Sequence, residues 1–323
     1  MDNTHFMEVS NSDKNILISV ISPVYKAEQI VPELVRRIIE GVSVVTDNYE
    51  IILIEDCGPD NSWQKIEEEC RKNSKVKGIR FSRNFGQHYA ITAGLEHARG
   101  EYVVVMDCDL QDNPKYIKEL YDEAVGGADI VFTYKEKRRH SFFKNITAHI
   151  FYGIYNYLID NKQGQTDKNI GSYSIINRKV VEAFLQVTEV NRDYVLILQT
   201  LGFNKIYNPI EHEKRYAGSS SYSLGKLIKV AMGAITSQSD KLLRLSISIG
   251  FFIFAVSIIW AIYALYMYFT ANIQAGYSSI FIFELLGTGL ILMSLGVTGI
   301  YIGKIFDQVK NRPLYIVDKK INM

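Results

Sequence analysis

Tyr102-Val-Val-Val-Met106-Asp107-Cys108-Asp109-Leu110-Gln111 is a β-branched run of strand length that ends in two acids and an amide. On an extended chain, positions 107, 109 and 111 point the same way, so two carboxylates and an amide oxygen converge. Hard oxygen ligands at a strand's end suit Mg²⁺ or Mn²⁺, which keep waters and share themselves with substrate phosphates. Such an ion would neutralise a diphosphate leaving group as a Lewis acid. Asp107, Asp109 and Gln111 are the metal candidates, and Asp109 is the first candidate for a catalytic residue. The plain alternative, two turn carboxylates in water, is disfavoured by the buried strand before them and the Gln in phase.

Similar runs lie on either side of this one. Ile16–Ile21, Glu50–Ile54, Val76–Phe81 and Asp129–Phe132 read as strands, with helical segments at Gln29–Ile39, Ser62–Lys72, His88–Ala98 and Pro114–Val125. Strand and helix in alternation predict an α/β domain with a mainly parallel, Rossmann-like sheet and helices on both faces. Ligands on such sheets bind at the carboxyl ends of the strands. Attention therefore falls on Pro23-Val-Tyr25, Glu55-Asp56, Ser82-Arg-Asn84 and Asp107-Cys-Asp109. A carboxylate at Asp56 would accept from a base N–H or a ribose hydroxyl, or it belongs to the cap of the next helix. Tyr25 is either a wall for a base or a core tyrosine.

Composition sets the outer limits. The chain has 323 residues, with 36 Lys and Arg against 35 Asp and Glu, a net charge of +1. That balance excludes a disordered tail protein and argues against a nucleic-acid binder driven by bulk charge. Three cysteines with no paired spacing fit a reducing compartment rather than a disulfide scaffold. Residues 1–15 form a polar tail with no apolar core of a signal peptide.

The averages conceal a membrane signal. From Ser246 to Gly303 the only formal charge is Glu284. The stretch reads as a two-helix transmembrane hairpin, 246–270 and 279–303, after a soluble domain at 16–222. Lys241 and Arg244 precede the first span, and Lys304, Lys310 and Arg312 follow the second. The positive-inside rule therefore places both flanks, including a basic tail at 304–323, in the cytoplasm. Residues 223–245 mix Lys226, Lys229, Lys241 and Arg244 with Leu and Ile, an amphipathic juxtamembrane pattern that would lie on an anionic leaflet. Gly287-Thr-Gly289 and Gly296-Val-Thr-Gly299 suit close helix packing or a homo-oligomer.

Basic residues mark the membrane edge of the domain. Arg138, Arg139, Lys144 and Arg215 would grip a lipid phosphate by charge-assisted bonds, or they are a solvated basic surface. The histidines lack metal spacing. P-loop, dinucleotide and hydrolase motifs are missing from the sequence. Cys108, between two acids, makes a poor nucleophile.

Ser82-Arg-Asn-Phe-Gly-Gln-His-Tyr-Ala-Ile-Thr-Ala-Gly-Leu-Glu-His-Ala-Arg-Gly100, followed by Met106-Asp-Cys-Asp-Leu-Gln-Asp112, resembles the polyprenyl-phosphate glycosyltransferases of glycosyltransferase family 2. The likeness extends through Asn169-Ile-Gly171, Arg215-Tyr-Ala-Gly218 and Ile235-Thr-Ser237. It implies a GT-A fold and an inverting transfer of sugar from a nucleotide-sugar, UDP before GDP, to a polyprenyl phosphate such as undecaprenyl phosphate. The setting it implies is the cytoplasmic face of a bacterial inner membrane, in cell-envelope or lipopolysaccharide glycan synthesis. The resemblance also implies that Pro23, Tyr25, Glu28, Asp56 and Asp107 meet the nucleotide, and that Asp107, Asp109 and Gln111 hold Mg²⁺ or Mn²⁺ with the diphosphate. The basic residues named above would hold the acceptor phosphate.

The chain departs from the family pattern at four places. Lys26-Ala27 replaces Asn-Glu, leaving Glu28 one place late, and Glu55-Asp56 replaces Asp-Asp. Ser172-Tyr-Ser174 stands for Asp-Phe-Arg, and Ser221 for a Lys. Two rival readings are a processive polysaccharide synthase and a non-catalytic membrane scaffold. The first usually carries Gln-x-x-Arg-Trp, which Trp63 and Trp260 do not fit; the second is opposed by intact Asp107, Asp109 and Gln111.

Overall fold

The computed structural model describes residues 16–135, 170–190, 192–210, 241–271 and 277–323. In chain order these form β1 (Ile18–Val24), α1 (Val31–Ser43), β2 (Tyr49–Glu55), α2 (Ser62–Lys72), β3 (Val76–Phe81), α3 (Gln87–His97) and β4 (Tyr102–Val105). A short 3₁₀ turn leads into α4 (Ile117–Val125), then β5 (Ile130–Lys135), β6 (Ile170–Asn177), α5 (Arg178–Gln186), α6 (Tyr194–Thr200) and β7 (Lys205–Ile210). Two long helices follow, α7 (Lys241–Ala271) and α8 (Tyr277–Val309), and the chain ends on β8 (Val317–Ile321). The described residues fall into two compact units, a sheet unit that takes in Arg312–Met323 and a helical unit that ends at Asn311.

The sheet has eight strands in the order β7-β5-β6-β4-β1-β2-β3-β8. Strands β4, β1, β2 and β3 are parallel neighbours, as the alternating sequence pattern requires. All seven residues of β1 and of β2 are buried, which is how strands covered on both faces read in sequence. Alternate side chains serve opposite faces: Ile51 and Leu53 join one apolar core, Ile52 and Ile54 the other. Pro23 is tolerated inside β1 because the pairing with β4 stops at Ile21–Val105, so the missing N–H leaves no gap on that side.

Two strands depart from a simple parallel array. β6 runs antiparallel between β4 and β5, which brings its first residues beside the carboxyl end of β4. β8 pairs antiparallel with β3, Gly78 opposite Ile321 and Phe81 opposite Val317. The segment expected as a basic tail thus finishes the sheet. Its Lys319 and Lys320 gave it a tail-like composition, and its partner strand lies far upstream in sequence.

Helix α3 packs unusually close to the sheet. A Cβ on Gly94 would sit 2.4 Å from Cγ2 of Ile21 and 2.9 Å from Cδ1 of Ile54, so only glycine permits this approach. At the amino end of the sheet, Glu50 is 1% exposed. Its Oε1 accepts from Ser19 Oγ at 2.6 Å and from the Arg99 amide at 2.7 Å. Its Oε2 lies 2.6 Å from Lys77 Nζ.

In the helical unit, α7 has 31 residues and α8 has 33, each above the ~30 Å core of a bilayer at ~1.5 Å per residue. Trp260 of α7 meets Phe283 of α8 with ring centroids 5.7 Å apart. Among the described residues, Gly287–Val309 is the one stretch long and apolar enough to cross a membrane, and Ser246–Trp260 is shorter. The expected second span, 279–303, lies within α8. The amphipathic segment expected at 223–245 lies almost wholly outside the described residues.

Candidate active site

The site forms where β1, β2, β3 and β4 end and β6 begins. Three residues just beyond β1, β2 and β4 adopt left-handed backbone without being glycine: Lys26 (φ 54°), Cys57 (φ 50°) and Leu110 (φ 58°). Such conformations cost of order 1–3 kcal/mol each and gather at functional sites. All three hold the chain in tight turns over the same edge of the sheet.

Asp107 follows β4 and is held from two sides. Gln87 Nε2 donates to Asp107 Oδ1 at 2.7 Å, and Ser172 Oγ donates to the same oxygen at 2.8 Å. Gln87 opens α3, whose approach Gly94 allows; Ser172 sits near the start of β6, which the antiparallel pairing carries to this end. Asp109 Oδ1 accepts from the Gln111 amide at 3.1 Å, closing a turn. The extended-chain expectation for 107, 109 and 111 is corrected here: β4 stops at Val105, and a left-handed Leu110 turns the chain. Gln111 thus meets Asp109 through its backbone.

Among the described residues, no group of three or more His, Cys, Asp or Glu is arranged for a metal. The donor chemistry nevertheless fits a hard divalent cation. Two carboxylates stand at a strand end, and Gln87 and Ser172 orient Asp107 through neutral donors that leave its charge intact. Cys108 between them is packed against the core, and burial, then Asp107 and Asp109, push its thiol up to about 12. It is no nucleophile at neutral pH.

Asp56, at the end of β2, is 4% exposed. Its Oδ1 accepts from the Phe85 amide at 2.7 Å and its Oδ2 from the Gly86 amide at 2.9 Å. Asn84 Nδ2 donates to its carbonyl at 3.2 Å. Burial raises this carboxyl above its usual range, opposed by the two amides and Arg83. Each oxygen retains a second lone pair for another donor. Neighbouring Glu55 accepts from the Gly58 amide through Oε1 and pairs with Arg80 through Oε2, 3.3 Å from Nε.

Tyr25 is 45% exposed, with Lys26 Nζ 5.4 Å from its ring centroid, so it is not a core tyrosine. Pro23 is buried within β1. Glu28 latches one loop to another: its carboxylate accepts from the Asn61 amide at 3.2 Å and from Asn61 Nδ2 at 3.1 Å. The Ala27 amide donates to Ser62 Oγ at 2.9 Å. Arg138, Arg139, Lys144 and Arg215 lie outside the described residues.

Sequence reasoning missed Gln87 and read Ser172 as a departure. Gln87 stood inside the quoted stretch 82–100, directly after Gly86, where a polar residue opening a helix at the edge of the site was the available signal. Nothing local marked Ser172, whose place depends on β6 pairing with β4.

The family model for glycosyl transferase family 2 matches residues 19–185. An uncharacterized glycosyltransferase of Bacillus subtilis, YkcC, is 35% identical over 95% of this chain and 94% of its own. A second, sll0501 of Synechocystis, is 31% identical over 94% of this chain and 95% of its own. Among solved structures, a Pyrobaculum calidifontis mannosyltransferase in complex with GDP-Man and Mn²⁺ aligns with a TM-score of 0.45 at 13% identity, covering 90% of this chain and 87% of that one. By the family model and the Bacillus and Synechocystis relatives, the chain belongs to glycosyl transferase family 2.

Proposed function

We propose that this glycosyltransferase moves a sugar from a nucleotide-sugar, a UDP-sugar in preference to a GDP-sugar, onto a polyprenyl phosphate. Undecaprenyl phosphate at the cytoplasmic face of a bacterial inner membrane is the acceptor proposed, for synthesis or modification of cell-surface glycan. One observation carries the reading: long apolar helices interrupt a sheet unit whose strand ends carry Asp56, Asp107 and Asp109. Ile210 before the helices and Arg312 after them belong to that same unit. A chain that leaves and rejoins one side of a bilayer crosses it an even number of times. A crossing by α8 therefore calls for another by α7, which supports the hairpin and brings the enzyme to an acceptor that cannot leave the membrane.

Pro23 and Tyr25 would bound the base, and Asp56 would accept from a base N–H or ribose hydroxyl with its remaining lone pairs. Glu28 keeps the two loops around that position together. Asp107 and Asp109, with Gln111 beside them, would hold Mg²⁺ or Mn²⁺, which when bound stabilises charge on a departing diphosphate. Arg138, Arg139, Lys144 and Arg215 would hold the acceptor phosphate. An oxygen of that phosphate forms the bond to the anomeric carbon as the bond to the diphosphate breaks, and the electron pair leaves with the nucleoside diphosphate. The acceptor is already an anion at pH 7, so alignment and electrostatics lower the barrier and no general base is required. A single displacement inverts the anomeric centre, giving a β-linked product from an α-linked donor.

The test is a panel of UDP- and GDP-sugars offered to the full chain in membranes, with and without undecaprenyl phosphate and with and without EDTA. Nucleoside diphosphate release that needs both the lipid and a divalent cation, with sugar recovered on lipid, is the expected result. Release at the same rate without the lipid, or sugar recovered as a long polymer, would overturn it.

A further inference from the structure

The chain beyond the two apolar helices reaches back to the elements that build the nucleotide-sugar site. Phe81 is the last residue of β3, and the loop Ser82–Gly86 that follows carries the two amides holding Asp56. Directly after the loop comes Gln87, which holds Asp107. Tyr315 touches this unit at both ends. Its ring stacks on Phe81 with centroids 4.9 Å apart and planes 22° apart. Phe81 in turn meets Phe85 edge-on at 5.5 Å. The Tyr315 hydroxyl donates to Glu96 near the end of α3. One residue on, the Ile316 carbonyl accepts from the Ser82 amide at 3.0 Å.

These contacts are more specific than an edge strand needs. The ladder between β3 and β8 stabilises the sheet through main-chain bonds from Gly78 to Phe81. Tyr315 and Ile316 lie before that strand and act on the loop itself. Burial and the nearby Glu96 carboxylate raise the hydroxyl's pKa, so it stays a donor across the working pH range. Arg83, also in the loop, has its guanidinium 4.0 Å from the Phe85 ring centroid, so the aromatic stack fixes a cation beside Asp56 as well.

We infer that Tyr315, with the Ile316 carbonyl, is a positioning clamp for the donor-binding loop Ser82–Gly86, so that nucleotide affinity depends on the segment that follows the second apolar helix. The inference rests on the nucleotide-sugar reading given above. Tyr315 acts at a distance from the substrate; it holds Phe81, and Ile316 holds Ser82, so that the Phe85 and Gly86 amides can grip Asp56.

The test uses the full chain in nanodiscs, with UDP and GDP plus Mg²⁺ as binding probes and donor KM, kcat and thermal midpoint as further readouts. Tyr315→Ala should weaken binding of the preferred nucleotide and raise donor KM about tenfold, with kcat nearly unchanged. Tyr315→Phe keeps the stack and should stay within about twofold. Lys320→Ala, which removes the contact to His97 at 2.8 Å, should leave nucleotide affinity unchanged. Should the alanine variant fail to fold, Tyr315→Leu is read by the same criteria. A lowered midpoint in Tyr315→Ala with unchanged nucleotide affinity overturns the clamp and leaves the function standing. A wild-type chain that binds neither nucleotide takes both readings down.

Discussion

Two acidic centres at opposite ends of one sheet are handled in opposite ways. Glu50, at the amino end, is closed off with Lys77 against one oxygen and Ser19 and the Arg99 amide on the other. Its charge is cancelled where it sits. Asp107, at the carboxyl end, is oriented by Gln87 and Ser172, and Asp56 by two backbone amides. Those donors fix position without cancelling charge. The first arrangement specifies a fold; the second orients carboxylates in the way a cation or a hydrogen-bond donor would need. Left-handed Lys26, Cys57 and Leu110 all stand at the second end.

The comparison can be broken most sharply at Asp109. Asp109→Asn should cut sugar transfer about 10²–10³-fold, the range for removing one electrostatic stabiliser of a transition state, while the thermal midpoint stays near wild type. Near-normal transfer by that variant would remove the metal assignment. Glu50→Gln should do the reverse. A buried Lys77 left without its partner costs about 3–5 kcal/mol in urea unfolding, and the activity of the folded fraction should be kept.

The positions of these two acids show what the sequence could disclose. Strand alternation, Asp107, Asp109 and Asp56 were all legible, because short β-branched runs followed by acids are local patterns. The roles of Ser172 and Tyr315 were not, since β6 and β8 reach the site through pairings with strands far away in sequence. Gln111 was placed with the two acids by its spacing, and Glu28 at the nucleotide by the family resemblance. Local turns take the Glu28 carboxylate to Asn61 and bring the Gln111 backbone to Asp109.

A smaller effect sharpens the same contrast. Ser172→Ala removes one of the two neutral donors on Asp107 and should raise the Mg²⁺ or Mn²⁺ concentration needed for half-maximal transfer about tenfold, as loss of such supporting contacts does at metal sites. An unchanged metal requirement would mean that Ser172 is only filling space. The smallest effect concerns pH. Asp56 has a raised pKa in the folded chain, so it binds its proton more tightly there than when unfolded. Its contribution to stability is greatest below the unfolded pKa and declines as pH climbs through the folded one. Asp56→Asn should flatten that decline in urea unfolding measured from about pH 4 to about pH 7. Glu55 is raised chiefly by burial in both proteins, and the variant loses only the smaller push from the Asp56 charge. Identical slopes would show that the carboxylate is solvated enough to titrate normally.

The pairing of β8 with β3 also sets an order of events during synthesis. Chains are made from the amino end at ~5–20 residues per second, so the edge of β3 waits on the order of tens of seconds for its last neighbour. Both apolar helices leave the ribosome in that interval. A ribosome that stops before Tyr315 therefore releases a chain with both apolar helices made and an open strand edge beside the loop Ser82–Gly86. Completion of the sheet comes last, after both apolar helices have been made.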